Sequence, residues 1–156
     1  MATLKDNKWF VENVANKQDI KLECNPKQGV YISKVTDSVI TIVGKANTIV
    51  AENVNKSGII FDDIISTVEV INSKKLQVQA NGSIPSIAID KSQGVTVFLQ
   101  TAEGQKASIL TSLSSEVNII LPGKTDNDDS IEFPVPSQFV SKIVGGKVVT
   151  TPSEHV

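Results

Sequence analysis

Arginine is absent from this chain of 156 residues. All 15 basic residues are lysine, set against 17 acidic ones for a formal net charge of -2. That balance supplies no bulk attraction to nucleic acid or to an anionic membrane, and neither is expected as a partner. The single cysteine, Cys24, has no internal partner for a disulfide, and a cytoplasmic location is the simplest expectation. One histidine, His155, stands second from the C-terminus, remote in sequence from Cys24, so no Cys–His pair is expected. No His/Cys cluster has metal-ligand spacing, and neither metal nor other cofactor is expected. No apolar run approaches the roughly 20 residues that span a bilayer, and residues 1–9 lack the apolar core of a signal peptide. Aromatics make up only 4% of the chain, so branched aliphatics must build the core, which favours β structure.

What is present is a repeat. Between Ser57 and Lys91, four short apolar runs start every nine or ten residues, and each alternates apolar with polar positions, as in Val68 and Val70 against Glu69. Such alternation reads as half-buried strands. Strands are expected at 8–14, 19–23, 30–33, 38–43, 48–52, 57–62, 66–71, 75–80, 85–90, 93–99, 107–111 and 116–121. Alternate runs start near 38, 57, 75 and 93, and near 48, 66, 85 and 107. The spacing of 18 to 19 residues is one coil with two strands per turn, too short for a βαβ unit. The fold class expected is all-β, a parallel β-helix. A meander of hairpins or a sandwich is the competing topology, but of its turns only Asn81-Gly82 is of the right kind. Ile42, Ile60, Val78 and Val97 are candidates for one inward column, and Ala51, Val70 and Ile89 for another. Trp9 is expected to bury in the core or cap the open end of the stack.

The boundaries expected are a loose lead-in at 1–7, the β-helix at 8–130 and a tail at 131–156. Leu121-Pro122-Gly123 ends the repeat. Pro134 and Pro136 confine the next segment to an edge. Residues 138–143 have the spacing of one helical turn, and Gly145-Gly146 between two apolar pairs marks a hairpin. The tail is apolar without belonging to the coil, so it needs a surface to cover. Exchange between two copies would supply one.

The search for catalytic chemistry comes back empty. Gly145-Gly146-Lys147 lacks the spacing of a phosphate-binding loop, and Asp126 to Asp129 lack the central Gly and distal Glu of a calcium loop. Asp62 and Asp63 are adjacent on a strand and face opposite ways unless a corner intervenes. A glycan-cleaving pair would need further carboxylates on neighbouring coils. No enzyme is expected. The outward face is the better source of function: Phe61, Ile71 and Phe98 fall among outward or corner positions beside Lys45, Lys74, Lys75, Gln77, Gln79 and Lys91. Apolar groups framed by polar ones on a sheet read as a protein-binding surface.

The runs KWFVEN (8–13), IVGKANTIVAEN (42–53), SGIIFDD (57–63), VEVINSKKLQVQ (68–79), PSIAIDKSQGVTVFL (85–99), SSEVNIILP (114–122), IEFPVPSQF (131–139) and GGKVVTT (145–151) resemble the C-terminal domain of the adenylyl cyclase-associated protein family. The resemblance implies a right-handed parallel β-helix of about six coils that dimerises by exchanging C-terminal hairpins. It implies binding of monomeric actin, preferentially in the ADP form, promotion of nucleotide exchange on actin, and association with the cytoskeleton. The actin surface it implies comprises Lys45, Asn47, Phe61, Asp62, Asp63, Asn72, Lys74, Gln79, Thr150, Thr151, Glu154 and His155. The dimer interface comprises Ile131, Phe133, Pro134, Val135, Phe139, Ile143, Val144, Val148 and Val149. Two departures stand out. The chain ends Glu154-His155-Val156 where relatives end in Ala-Gly, and the helical domain, proline-rich segments and short actin-binding motif of most members are not in this sequence. A related branch, tubulin cofactor C and its kin, activates small GTPases with an arginine finger, which a chain without arginine does not have. The alternatives are a β-helix that only assembles with itself and a carbohydrate-active β-helix.

Overall fold

In the computed structural model, which describes residues 2–125 and 127–153, two stacks of parallel strands wind into six coils. The strands are β1 (Ala2–Lys5), β2 (Lys8–Ala15), β3 (Ile20–Glu23), β4 (Gly29–Thr36), β5 (Val39–Ala46), β6 (Ile49–Ile64), β7 (Thr67–Ile71), β8 (Lys74–Ala80), β9 (Ser86–Asp90), β10 (Gln93–Leu99), β11 (Ser108–Ser112), β12 (Asn118–Leu121), β13 (Ile131–Pro134), β14 (Phe139–Val144) and β15 (Lys147–Pro152). The first stack is β2, β4, the first half of β6, β7, β9 and β11. The second is β3, β5, the second half of β6, β8, β10 and β12. This is the expected parallel β-helix with two strands per coil. Asn81-Gly82, the one turn of hairpin type, is a corner between β8 and β9, which do not pair with each other.

Each coil places its inward side chains on those of the next. Val11, Ile32, Ala51, Val70 and Ile89 form one column, as the alternation had indicated for its last three members. The other expected column needs correcting. Ile40, Ile59, Val78 and Val97 stand in one row and Ile42, Phe61, Ala80 and Leu99 in the next, so Ile60 points outward and Phe61 is fully buried. Phe61 fits because Ala80, small, follows it in the column; close-packed interiors balance volume in this way.

The corner from the first stack to the second has a repeated backbone signature. Every coil carries two residues of positive φ three positions apart: Asn13 and Asn16, Lys34 and Asp37, Asn53 and Lys56, Asn72 and Lys75, Lys91 and Gly94, Leu113 and Glu116. We call this the αL corner. Five coils also place a serine there. The hydroxyls of Ser38, Ser57, Ser73, Ser92 and Ser114 accept the N–H of Lys17, Ser38, Val54, Ser73 and Ser92 from the preceding coil, at 3.1 Å each. Each then donates to the carbonyl two residues earlier in its own coil. The serine follows the second αL residue in coils two and three and the first in coils four to six. The vacated inward position holds Val35, Val54, Leu76, Val95 and Val117. Four of these coils thus bury one hydroxyl and one aliphatic; in the last, Ser114 is only partly buried beside buried Val117.

Residues 2–5 are not a loose lead-in. They form β1, antiparallel to β2, joined by Asp6 and Asn7, both at positive φ, as a two-residue hairpin requires. Trp9, opposite Leu4 in this pairing, is partly buried against the first coil. At the far end β13 pairs antiparallel with β12. Residues 139–144 are strand rather than a helical turn, because β15 answers them across the expected Gly145-Gly146 turn.

The hydroxyl ladder makes a direct prediction. Ser73→Ala strands the Val54 N–H in a fully buried corner and is expected to cost about 1–3 kcal/mol. Ser112→Ala, on an exposed side chain, is expected to stay within about 0.5 kcal/mol. Urea unfolding of both variants checks this, and equal effects would remove the ladder from the account.

Candidate protein-binding surface

The second corner, where the second stack hands over to the next coil, gathers five of the twelve partner-site residues expected from sequence: Lys45, Asn47, Asp62, Asp63 and Gln79. Its geometry begins at Gly44. The register of β5 on β6 shifts between Ile42 and Lys45, and Gly44 takes a φ of 91° in that irregularity. A Cβ there would lie 2.5 Å from the Cys24 carbonyl oxygen, so only glycine fits. The bulge re-aims the chain, leaving Lys45 and Asn47 exposed on either side of buried Ala46. Bulges next to functional surfaces commonly do this.

The two aspartates hold the same corner in shape. Asp62 Oδ2 accepts the Gly44 N–H at 3.1 Å. Asp63, directly beside Lys45 in the ladder, accepts the Ser83 N–H at 2.8 Å and the Ser83 hydroxyl at 3.2 Å. Both carboxylates are half-buried and engaged one coil away, so neither is a free acid aimed at a substrate. Gln79 lies on the same edge, its amide donating to Asn81 Oδ1 at 3.0 Å. A shallow groove runs beside Lys45, lined by Ile64, exposed Ile65, Pro85, Glu103 and Lys106. Glu103 and Lys106 pair at 3.1 Å. Sequence reasoning missed Ile65 and Pro85; their signal was an apolar residue at a corner position. Lys45, Asn47, Ile65 and the Glu103–Lys106 pair offer mixed charge around an apolar floor.

The structure separates the remaining expected residues from this corner. Asn72 and Lys74 are exposed at the αL corner, about 20 Å away by the rise of the strand between Lys74 and Ala80. The Lys74 N–H is held by Asn55 Oδ1 at 2.8 Å. Phe61 is removed from the surface: it lies wholly in the core, because its outward placement followed from the wrong phase of the strand. Thr150 and Thr151 are exposed on β15, with Thr150 Oγ1 2.9 Å from the Ser141 hydroxyl. Glu154 and His155, like Asp126, lie outside the described residues. Among the described residues no group of three or more His, Cys, Asp or Glu gathers to hold a metal. No helix among them is long and apolar enough to cross a membrane.

Of the expected dimer residues, Val135 packs partly against the core, its N–H donating to the Val117 carbonyl at 2.8 Å. The others are exposed. Phe139, Ile143, Val144, Val148 and Val149 sit on β14 and β15, which form a sheet only with each other. Ile131, Phe133 and Pro134 lie on β13.

Cys24 abuts the bulge and is half-buried; burial pushes its thiol pKa up, because the thiolate is the form that loses solvation. A raised pKa leaves less thiolate near neutrality, so iodoacetamide is expected to react more slowly than with a free cysteine, with a rate midpoint at higher pH. Mass spectrometry of alkylation against pH checks this. Gly44→Ala is expected to lose about 1–3 kcal/mol of stability through the contact with Cys24 and the strained backbone, and to speed alkylation as the bulge loosens.

Three comparisons bear on what this surface belongs to. Residues 1–155 match the family model "Adenylate cyclase associated (CAP) C terminal". The chain is 41% identical over 152 residues to adenylyl cyclase-associated protein 1 of Bos taurus, covering 97% of the chain and 32% of the relative. It is 37% identical over 154 residues to the adenylyl cyclase-associated protein of Dictyostelium discoideum, covering 98% and 33%. The chain thus spans about a third of the length of these curated relatives. The crystal structure of cyclase-associated protein from Cryptosporidium parvum superposes with a TM-score of 0.90 at 30% identity, covering 98% of this chain and 94% of that one. With its coil count, its bulged Gly44 corner and its terminal hairpin on the page, the chain belongs to the family of adenylyl cyclase-associated protein C-terminal domains.

Proposed function

We propose that this domain binds monomeric actin, preferentially with ADP bound, and promotes exchange of that nucleotide, without covalent chemistry of its own. Family membership across residues 1–155 supports the reading. The observation that carries it onto this chain is the second corner. There the IxGKxNxI run, one of the marks of the resemblance, becomes a glycine-dependent bulge presenting Lys45 and Asn47 beside exposed Ile65. Asp62 and Asp63 act in this proposal as supports, through Gly44 and Ser83. Asn72 and Lys74 would serve as a separate contact across the face, and Thr150 and Thr151 as a third on the hairpin.

The hairpin supplies the second part of the proposal: two copies associate through β13, β14 and β15. An isolated two-stranded hairpin is marginal in water, and this one is apolar on exposed positions, with Ile143 72% and Val148 66% accessible. Burial against a partner copy would stabilise both the hairpin and the pair. Two actin sites in one assembly would then raise local affinity.

Release of a fluorescent nucleotide from ADP-actin is expected to accelerate when the domain is added. Lys45→Glu combined with Asn47→Asp is expected to weaken actin binding by about tenfold, roughly 1.4 kcal/mol, with an unchanged melting midpoint because both side chains are exposed. No acceleration by the parent would overturn the exchange mechanism. Ile143→Ser with Val148→Ser is expected to shift the solution mass from dimer to monomer; a parent already monomeric at high concentration would rule out the dimer.

A further inference from the structure

The twelve αL positions are not filled as backbone preference alone would fill them. Asparagine, which tolerates this conformation, occupies positions 13, 16, 53 and 72. Lysine, which does not favour it, occupies four others: Lys34 at φ 56°, Lys56 at 50°, Lys75 at 54° and Lys91 at 51°. The stack imposes this conformation on whichever residue stands there, and lysine is the side chain found at four of the twelve positions. Among the described residues no ion pair engages these four charges. All four lysines are exposed, and the one ion pair among the described residues is Lys106–Glu103, at the other corner. Lys17 and Lys74 stand beside them, exposed as well. Six of the 15 lysines therefore share one corner, on coils one to five. At about 4.8 Å per coil the ridge runs for roughly 19 Å along the helix axis.

We propose that this lysine ridge is a docking surface for a carboxylate-rich segment of a protein partner. Beside it lies a shallow groove lined by Gln18, Val39, Lys56, Gly58, Lys75 and Gln77, with Asp37 the one acid in its wall. The Gln77 amide and the Asp37 carboxylate suit the main-chain groups of a peptide, while the Gln18 amide already donates to the Asp37 carbonyl at 2.7 Å. Lys56 and Lys75, in register one coil apart, suit its acidic side chains, with Lys34 and Lys91 in the neighbouring column of the same corner. A polyphosphate fits less well: the adjoining outward row of the first stack carries Glu12, Glu52 and Asp90, which repel a ligand charged along its whole length. The inference goes beyond the actin reading and does not rest on it.

The test uses the full chain and a fluorescein-labelled 12-residue peptide of alternating glutamate and glycine, followed by anisotropy at low salt. Saturable binding is expected. Lys34→Asn, Lys56→Asn, Lys75→Asn and Lys91→Asn together are expected to weaken it at least tenfold while holding or raising the melting midpoint, since asparagine suits the αL corner better. A control variant losing equal charge elsewhere, Lys5→Asn, Lys21→Asn, Lys27→Asn and Lys124→Asn, is expected to bind within twofold of the parent. Absence of saturable binding, equal loss in both variants, or tighter ridge-dependent binding of inorganic polyphosphate or of phosphoinositide vesicles would each overturn the proposal. The assay contains no actin, so its outcome is independent of that reading.

Discussion

The whole molecule depends on one constraint: a residue must sit on its counterpart one coil earlier, both where the chain is extended and where it turns. In the extended parts the parallel ladder enforces this with ordinary backbone hydrogen bonds. At the αL corner the backbone departs from strand geometry twice in four residues, and a serine hydroxyl completes the pairing. The hydroxyl is suited to this because it accepts from the coil before and donates within its own turn. A valine in its place would leave a buried N–H without a partner, a loss comparable to a sizeable fraction of a domain's net stability.

A stack that satisfies this rule still has two ends. The first coil is covered along one strand by β1, folded back through Asp6 and Asn7, and the last by β13. Both added strands run antiparallel, so each changes the pairing pattern where further parallel coils would otherwise dock. The surface that faces partners is organised by the same rule. Lys45 and Asp63 are neighbours because their coils are in register, and Asp62 reaches Gly44 because that register slips once.

Much of this was legible in the residues. The coil period and the division into two stacks follow from alternation that recurs at 18 to 19 residues, a signal carried by many positions at once. The phase of a single strand is less secure. Ile59, Ile60 and Phe61 are all apolar, so alternation is silent there, and only stacking on Ile40 and Ile42 decides that Phe61 goes in. Phe139 and Ile143 are spaced for a helix as well as for a strand; the partner strand across Gly145-Gly146 settles it. The αL corners were hidden for a different reason. Lys, Leu and Glu are not turn residues, so their positive φ is imposed by the stack rather than announced locally. The apolar hairpin was visible as an apolar tail without a place in the coil, and the structure leaves it in that condition within one chain.

The change of serine column between Ser57 and Ser73 has a consequence for how such a chain can vary in length. On either side of that boundary, successive coils are interchangeable at the corner: hydroxyl stacks on hydroxyl and aliphatic on aliphatic. Duplication or loss of a 19-residue unit within either half would leave every corner N–H answered. A coil copied across the boundary would set a hydroxyl against an aliphatic column on both of its faces. The five serine-bearing coils are therefore two short homogeneous runs joined at a single seam, between Ser57 in β6 and Ser73 at the corner from β7 to β8, and growth by whole coils is permitted within each but not through the join.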